Sequence, residues 1–206
     1  MDAPTRVLKA LNHEEPDRVP GFESAFTNNT IMEHYGVTAG GIVGGVGLLK
    51  YLPFKARIAK WAISNRRFLA KSMVNTYEFL RRVKIDIGLS LVTHTQHKLI
   101  KGGIINEFGR KMMWETYEGD GTVIMGYHGG IFKSFEDYES FERPDPHDPK
   151  RLAAYFAGKD VQEQMNNEIL SVPAIGGMME PSWEAFGLET FSRILARPKT
   201  RKKSVR

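Results

Sequence analysis

The sequence predicts an α/β protein, and three observations predict it. Apolar residues recur at three- and four-residue steps over long stretches, short apolar runs rich in branched side chains lie between those stretches, and glycine-rich turns separate a group of short β candidates. At 206 residues, 41% hydrophobic and 26% charged, the chain has ordinary globular usage. Its length fits one domain, since domains commonly run roughly 100–200 residues.

Taken in order, Thr5 to Leu11 places Val7, Leu8, Ala10 and Leu11 at helical spacing, and the polar run Asn12 to Asp17, with Pro16, ends it. Arg18 to Phe22 reads as a short extended stretch, with Pro20 tolerable at an edge or a strand start. Residues 30–35 suit a helical turn closing at Gly36, and the glycines between 40 and 47 read as a connection. From Phe54 to Val83 the pattern is strongly helical, with Ile58, Trp61, Ala62, Phe68, Leu69, Met73, Tyr77 and Leu80 forming a core stripe. Ile85 to Val92 is apolar enough for a buried strand. Gly103–Phe108, Lys111–Tyr117 and Thr122–Tyr127 are short β candidates, and Asp120-Gly121 is a hairpin signal. Asp148 and Pro149 suit the N-cap and first position of a helix carrying Leu152, Tyr155, Phe156, Val161 and Met165. A strand over Leu170–Ile175 and further helix broken at Gly187 and Pro198 complete the chain.

Charge is distributed unevenly. The net +5 and pI near 9.3 invite a search for an anionic partner. Residues 50–84 hold 10 basic residues and 1 acidic, residues 197–206 hold 6 and 0, and residues 85–196 hold 10 and 17, so the basicity sits in two patches. With no cysteine, the chain supplies no disulfide, thiolate metal ligand or cysteine nucleophile. Its opening lacks a secretory pattern, and its longest apolar run, eleven residues from Ala39 to Leu49, is short of the roughly 20 a membrane span needs. The expectation is a cytoplasmic protein without a membrane partner.

Several motifs invite functional readings. The glycines at 40–47 fit no nucleotide-loop register and precede no Gly-Lys-Ser/Thr, which leaves a structural loop. His94 and His97 follow a candidate strand. Their spacing would suit a metal on a helix face, but at a strand end they are better placed to line a cleft, with plain surface polarity the other reading. The basic helix at 50–84 is either a solvated face or an anion-binding surface. A nucleic-acid partner is not expected there, because Trp61, Phe68, Tyr77 and Phe79 fall on the core stripe rather than among the cations. Glu180, directly after the strand at 170–175, stands where α/β enzymes place working groups, or where a first-turn glutamate complements a helix dipole.

The opening Arg6-Val7-Leu8-Lys9-Ala10-Leu11-Asn12-His13-Glu14-Glu15-Pro16-Asp17-Arg18-Val19-Pro20 resembles the N-terminal signature of the uroporphyrinogen decarboxylase superfamily, in particular its corrinoid-dependent methyltransferase branch. Asn106-Glu107-Phe108-Gly109-Arg110 with the hairpin after it, Pro144-Asp145-Pro146-His147-Asp148-Pro149, and Gly176-Gly177-Met178-Met179-Glu180 with Trp183 and Gly187 are similar to further blocks of that branch, in the same order. The resemblance implies a (β/α)8 TIM barrel, here its first three-fifths as an incomplete barrel over residues 1–206, with a β-hairpin insertion at about 103–127. It places Glu23, Thr93, His94, His97, Glu180 and Trp183 as pocket-lining, substrate-binding candidates. The decarboxylase pattern's two arginines fall on Ala25 and Asn29, its aspartate falls near Thr93, and its tyrosine has no counterpart, all of which favour the methyltransferase branch.

That branch implies zinc, held by a histidine and two cysteines of a later segment, and a corrinoid protein as partner. The resulting expectation is the N-terminal part of a methyltransferase, truncated or split, binding no cofactor alone and completed by a C-terminal half-barrel chain or by a second copy. In this reading Arg197 to Lys203 begins a helix parted from its neighbours, so the high pI marks a break rather than a ligand. The rivals are porphyrin-pathway decarboxylation and a non-catalytic assembly or binding module.

Overall fold

The computed structural model describes residues 1–23, 28–38, 61–62, 64–92, 98–116 and 123–196. The glycine run at 40–47, the Phe54-to-Lys60 part of the expected helix, the Asp120-Gly121 turn and the basic segment 197–206 lie outside them. The fold is α/β, with a small parallel sheet and a separate antiparallel sheet. The chain forms two compact units, one of Met1–Thr93, Thr116–Ile124 and Pro149–Ile175 and the other of His94–Glu115, Met125–Asp148 and Gly176–Arg206.

In the first unit, α1 (Ala3–Leu11) starts because Asp2 accepts a hydrogen bond from the Thr5 N–H at 2.8 Å and Pro4 occupies the first turn. α2 (Asn29–His34) is capped by Asn28 and followed by Gly36 at φ +69°. α3 (Arg66–Arg82) is capped by Asn65, whose side chain accepts from the Phe68 N–H. It buries Leu69, Met73, Tyr77 and Leu80 in one core with Ala153, Ala154, Ala157 and Val161 of α5 (Ala153–Gln164). Two strands, β1 (Ile87–Leu91) and β6 (Leu170–Ala174), pair in parallel from Ile87 opposite Leu170 to Leu91 opposite Ala174. Phe22 forms a parallel bridge to Ile87, so three extended segments lie side by side in chain order.

Between β1 and the helices lies a buried hydroxyl cluster. Tyr77 Oη is 3.0 Å from Ser90 Oγ and 3.1 Å from Ser171 Oγ, and the two serines are 2.6 Å apart. Burial pushes the Tyr77 phenol up, so the neutral hydroxyl is the form that holds the cluster. Gly158 of α5 permits the approach, since a β-carbon there would stand 2.0 Å from Ser90 Oγ. At the start of β1, Asp86 is 1% exposed and accepts from Arg6, from both terminal nitrogens of Arg18 and from the Gly21 N–H. Arg6 also donates to both oxygens of Asp17. The segment read as a turn signature therefore clamps α1 and the Phe22 segment to the base of the sheet.

The second unit is built on a sheet of order β2 (Lys98–Ile100), β3 (Gly103–Ile105), β4 (Arg110–Thr116) and β5 (Val123–Gly130). Its helices are α4 (Phe135–Ser140), α6 (Met179–Phe186) and α7 (Leu188–Ala196), the last two separated by Gly187 at φ +77°. Ser134 and Asp137 form a reciprocal capping box at the start of α4. Phe132, Ala185 and Phe186 form the core, with Tyr138, Phe141, Phe191 and Ile194 against it.

Three expectations are corrected. Trp61 and Phe68 are 54% and 41% exposed rather than in the core stripe, because the buried side of α3 runs through Leu69, Met73, Tyr77 and Leu80. Pro149 opens a 3₁₀ turn over Pro149–Leu152, and α5 (Ala153–Gln164) begins only after it. β2 is a strand that the sequence reading left unassigned; it pairs with β3 across Lys101-Gly102, where Gly102 takes φ +78°.

Candidate functional site

α6 positions the carboxylates of the second unit. One turn of helix separates Glu180 from Glu184, so both project toward the same side. α6 docks closely because β5 ends in glycine: a β-carbon on Gly130 would stand 2.0 Å from the Ala185 carbonyl oxygen, and the Phe132 N–H donates to that oxygen at 3.1 Å.

Arg110, the first residue of β4, faces the two carboxylates. The Asn106 side chain accepts from the N–H groups of Phe108 and Arg110 at 3.0 Å each, a turn closed by Gly109 at φ +79°. Arg110 Nη2 then lies 2.5 Å from Glu184 Oε2 and 3.8 Å from Glu180 Oε1. Glu184 is 5% exposed, while the Glu180 side chain is 63% exposed, so the guanidinium is committed to the buried carboxylate. Tyr127 Oη donates to the Glu184 carbonyl at 2.8 Å, and its ring meets Trp183 edge-on at 5.6 Å.

The electrostatics follow from this packing. Burial pushes the Glu184 carboxyl up, Arg110 opposes that shift and Glu180 adds to it. The Tyr127 phenol is also raised, by burial first and then by the Glu184 charge, again against Arg110. The cluster is thus an acid held by one cation, with a second, solvated carboxylate beside it. It can bind a cationic or hydrogen-bond-donating group at Glu180 without disturbing the Arg110–Glu184 pair.

Of the residues singled out from the sequence, Glu180 and Trp183 share α6 and this cluster. Glu180 also occupies the first turn of α6, where the helix dipole favours a carboxylate. Glu23 follows the Phe22 bridge in the first unit and is exposed. Thr93, His94 and His97 lie outside the described residues. The sequence reading missed Arg110, Tyr127 and Glu184 as site residues. Glu184 was findable, four residues beyond Glu180 on a helix, and Arg110 closes the quoted Asn106 block; nothing local marks Tyr127.

The chain has no cysteine to supply a thiolate ligand, and among the described residues no group of three or more His, Asp or Glu stands close enough to hold a metal ion. No protein-family model, curated protein or solved structure matches the chain.

Proposed function

We propose that this chain is part of a uroporphyrinogen-decarboxylase-like protein of the corrinoid-dependent methyltransferase branch, supplying the opening strands of a (β/α) barrel. One observation carries the reading: the Phe22 segment, β1 and β6 are parallel neighbours in chain order, with helices in the intervening sequence, as at the start of such a barrel. A second supports it. The block around Asp17 and Arg18, on which the resemblance begins, is built into the base of that sheet through Asp86.

In this reading Glu180 is the carboxylate the second unit contributes to substrate binding, with Trp183 as an apolar wall beside it. Glu180 orients a polar substrate group while the Arg110–Glu184 pair fixes α6 beneath it. The zinc this branch implies would need thiolate ligands, which this cysteine-free chain does not supply.

The test begins with the coding sequence after residue 206. A continuation carrying a histidine and two cysteines at barrel-strand ends is expected, and the extended or mixed protein should transfer a methyl group between a methylated corrinoid and a thiol. Glu180→Gln should weaken that transfer. Conversion of uroporphyrinogen to coproporphyrinogen by the 206-residue chain alone would replace this reading with the decarboxylase. Absence of both activities from every completed form would leave an assembly module.

A further inference from the structure

The side of α3 away from the core is chemically distinct. With Leu69, Met73, Tyr77 and Leu80 buried, helical geometry puts Arg67, Phe68, Lys71 and Asn75 on the opposite side. Trp61 packs on Phe68 with ring centroids 5.4 Å apart and an interplanar angle of 55°, and both rings are open to solvent. Arg67 and Lys71 are exposed and form no ion pair among the described residues. Arg66, by contrast, is tied to Asp160 and lies over the Phe156 ring at 5.3 Å.

We propose that this face binds single-stranded nucleic acid, with Trp61 and Phe68 as stacking rings for bases and Arg67 and Lys71 on the phosphates. The interleaving of solvent-open aromatics with cations, whose expected absence argued against such a partner, is present once Trp61 and Phe68 are seen outside the core. An anionic lipid surface fits less well. A helix lying in a membrane interface buries a continuous apolar stripe, and the apolar stripe of α3 is already committed to the core it shares with α5.

The experiment is fluorescence anisotropy of a labelled oligothymidylate of about ten nucleotides with the full chain at low salt. Binding is expected, weakening about sevenfold for a fourfold rise in salt if two phosphates are neutralised. Trp61→Ala and Phe68→Ala should each weaken it at least about fivefold, and Arg67→Glu with Lys71→Glu more. The six basic residues at 197–206 are kept in every variant, so they cannot produce these differences. Far-UV circular dichroism checks that each variant folds, and Trp61→Phe, which keeps a ring, should retain most of the affinity. Three results overturn the proposal: no binding by the wild-type chain, an equal loss from the charge reversal Lys133→Glu on the second unit, or binding to phosphatidylserine vesicles with none to the oligonucleotide.

Discussion

Removing Asp86 should be the most damaging single change at the base of the parallel sheet. Its carboxylate is 1% exposed and accepts from Arg6 Nη1 at 2.6 Å, from Arg18 Nη1 and Nη2 at 2.7 Å each and from the Gly21 N–H at 2.8 Å. Asp86→Ala leaves the buried Arg6 without one of its two carboxylates, Arg18 without its bidentate partner and a backbone donor without an acceptor. Breaking a buried ion pair from one side costs about 3–5 kcal/mol, a large share of the roughly 5–15 kcal/mol available to a folded domain. Amide exchange reads this where it acts, since the Leu170 N–H donates to the Asp86 carbonyl at the start of the β1–β6 ladder. Protection there should fall by about a hundredfold or more, at 1.4 kcal/mol per factor of ten. Arg18→Ala in the Asp86→Ala background should cost less than Arg18→Ala alone, because the guanidinium has already lost its partner. A loss under about 1 kcal/mol, or strict additivity, would refute the clamp.

Three further outcomes are expected. Gly158→Ala drives a β-carbon to 2.0 Å from Ser90 Oγ and 2.2 Å from Ser171 Oγ, so urea denaturation should show a loss of about 1–3 kcal/mol or more, and Ser90→Gly in the same chain should recover part of it. Glu78 is held down to about 2 by hydrogen bonds from Arg81 and then Arg82, against an ordinary 4.5; its stabilisation is full above about 4.5 and lost as pH falls toward 2, and Glu78→Gln should flatten that acid limb of a stability–pH profile. Glu180→Gln removes a like charge beside Glu184, so the Glu184 titration followed by carboxyl-carbon NMR should move to lower pH; an unmoved titration would show that the two carboxylates do not interact.

The other helices and the strands at 85–92 and 170–175 were legible because each rests on local signals, whereas α4, with its Ser134 cap, was not read from the sequence. Asp2, Asn28 and Asn65 cap where short polar residues cap best, and Gly36 and Gly187 take the positive φ that ends or separates helices. The partner of each capped helix was not legible from periodicity alone. In sequence, Trp61 and Phe68 stand seven apart and match the repeat of a core stripe as well as Leu69, Met73 and Tyr77 do; the structure starts α3 at Arg66 behind an extended Asn65, and only the packed core shows which side of it is buried. The candidate site divides in the same way. Glu180 and Trp183 stand on one quoted block and were found together, whereas Tyr127 joins them from a strand more than fifty residues earlier through a hydrogen bond to a backbone carbonyl, which no side-chain pattern announces.

Arg110 shows how the two kinds of information combine. Its block was noticed as a motif, yet its consequence depends on Gly109 and Asn106 shaping the turn and on Gly130 admitting α6. With those contacts, the cation is spent on Glu184, and Glu180 is left as a solvated carboxylate. Any ligand of this cluster therefore meets a negative side chain first, which favours donors and cations over the carboxylate-rich substrate of a decarboxylase. That electrostatic preference, together with Ala25 and Asn29 standing where the decarboxylase pattern has arginines, is why we propose the methyltransferase reading ahead of its rival.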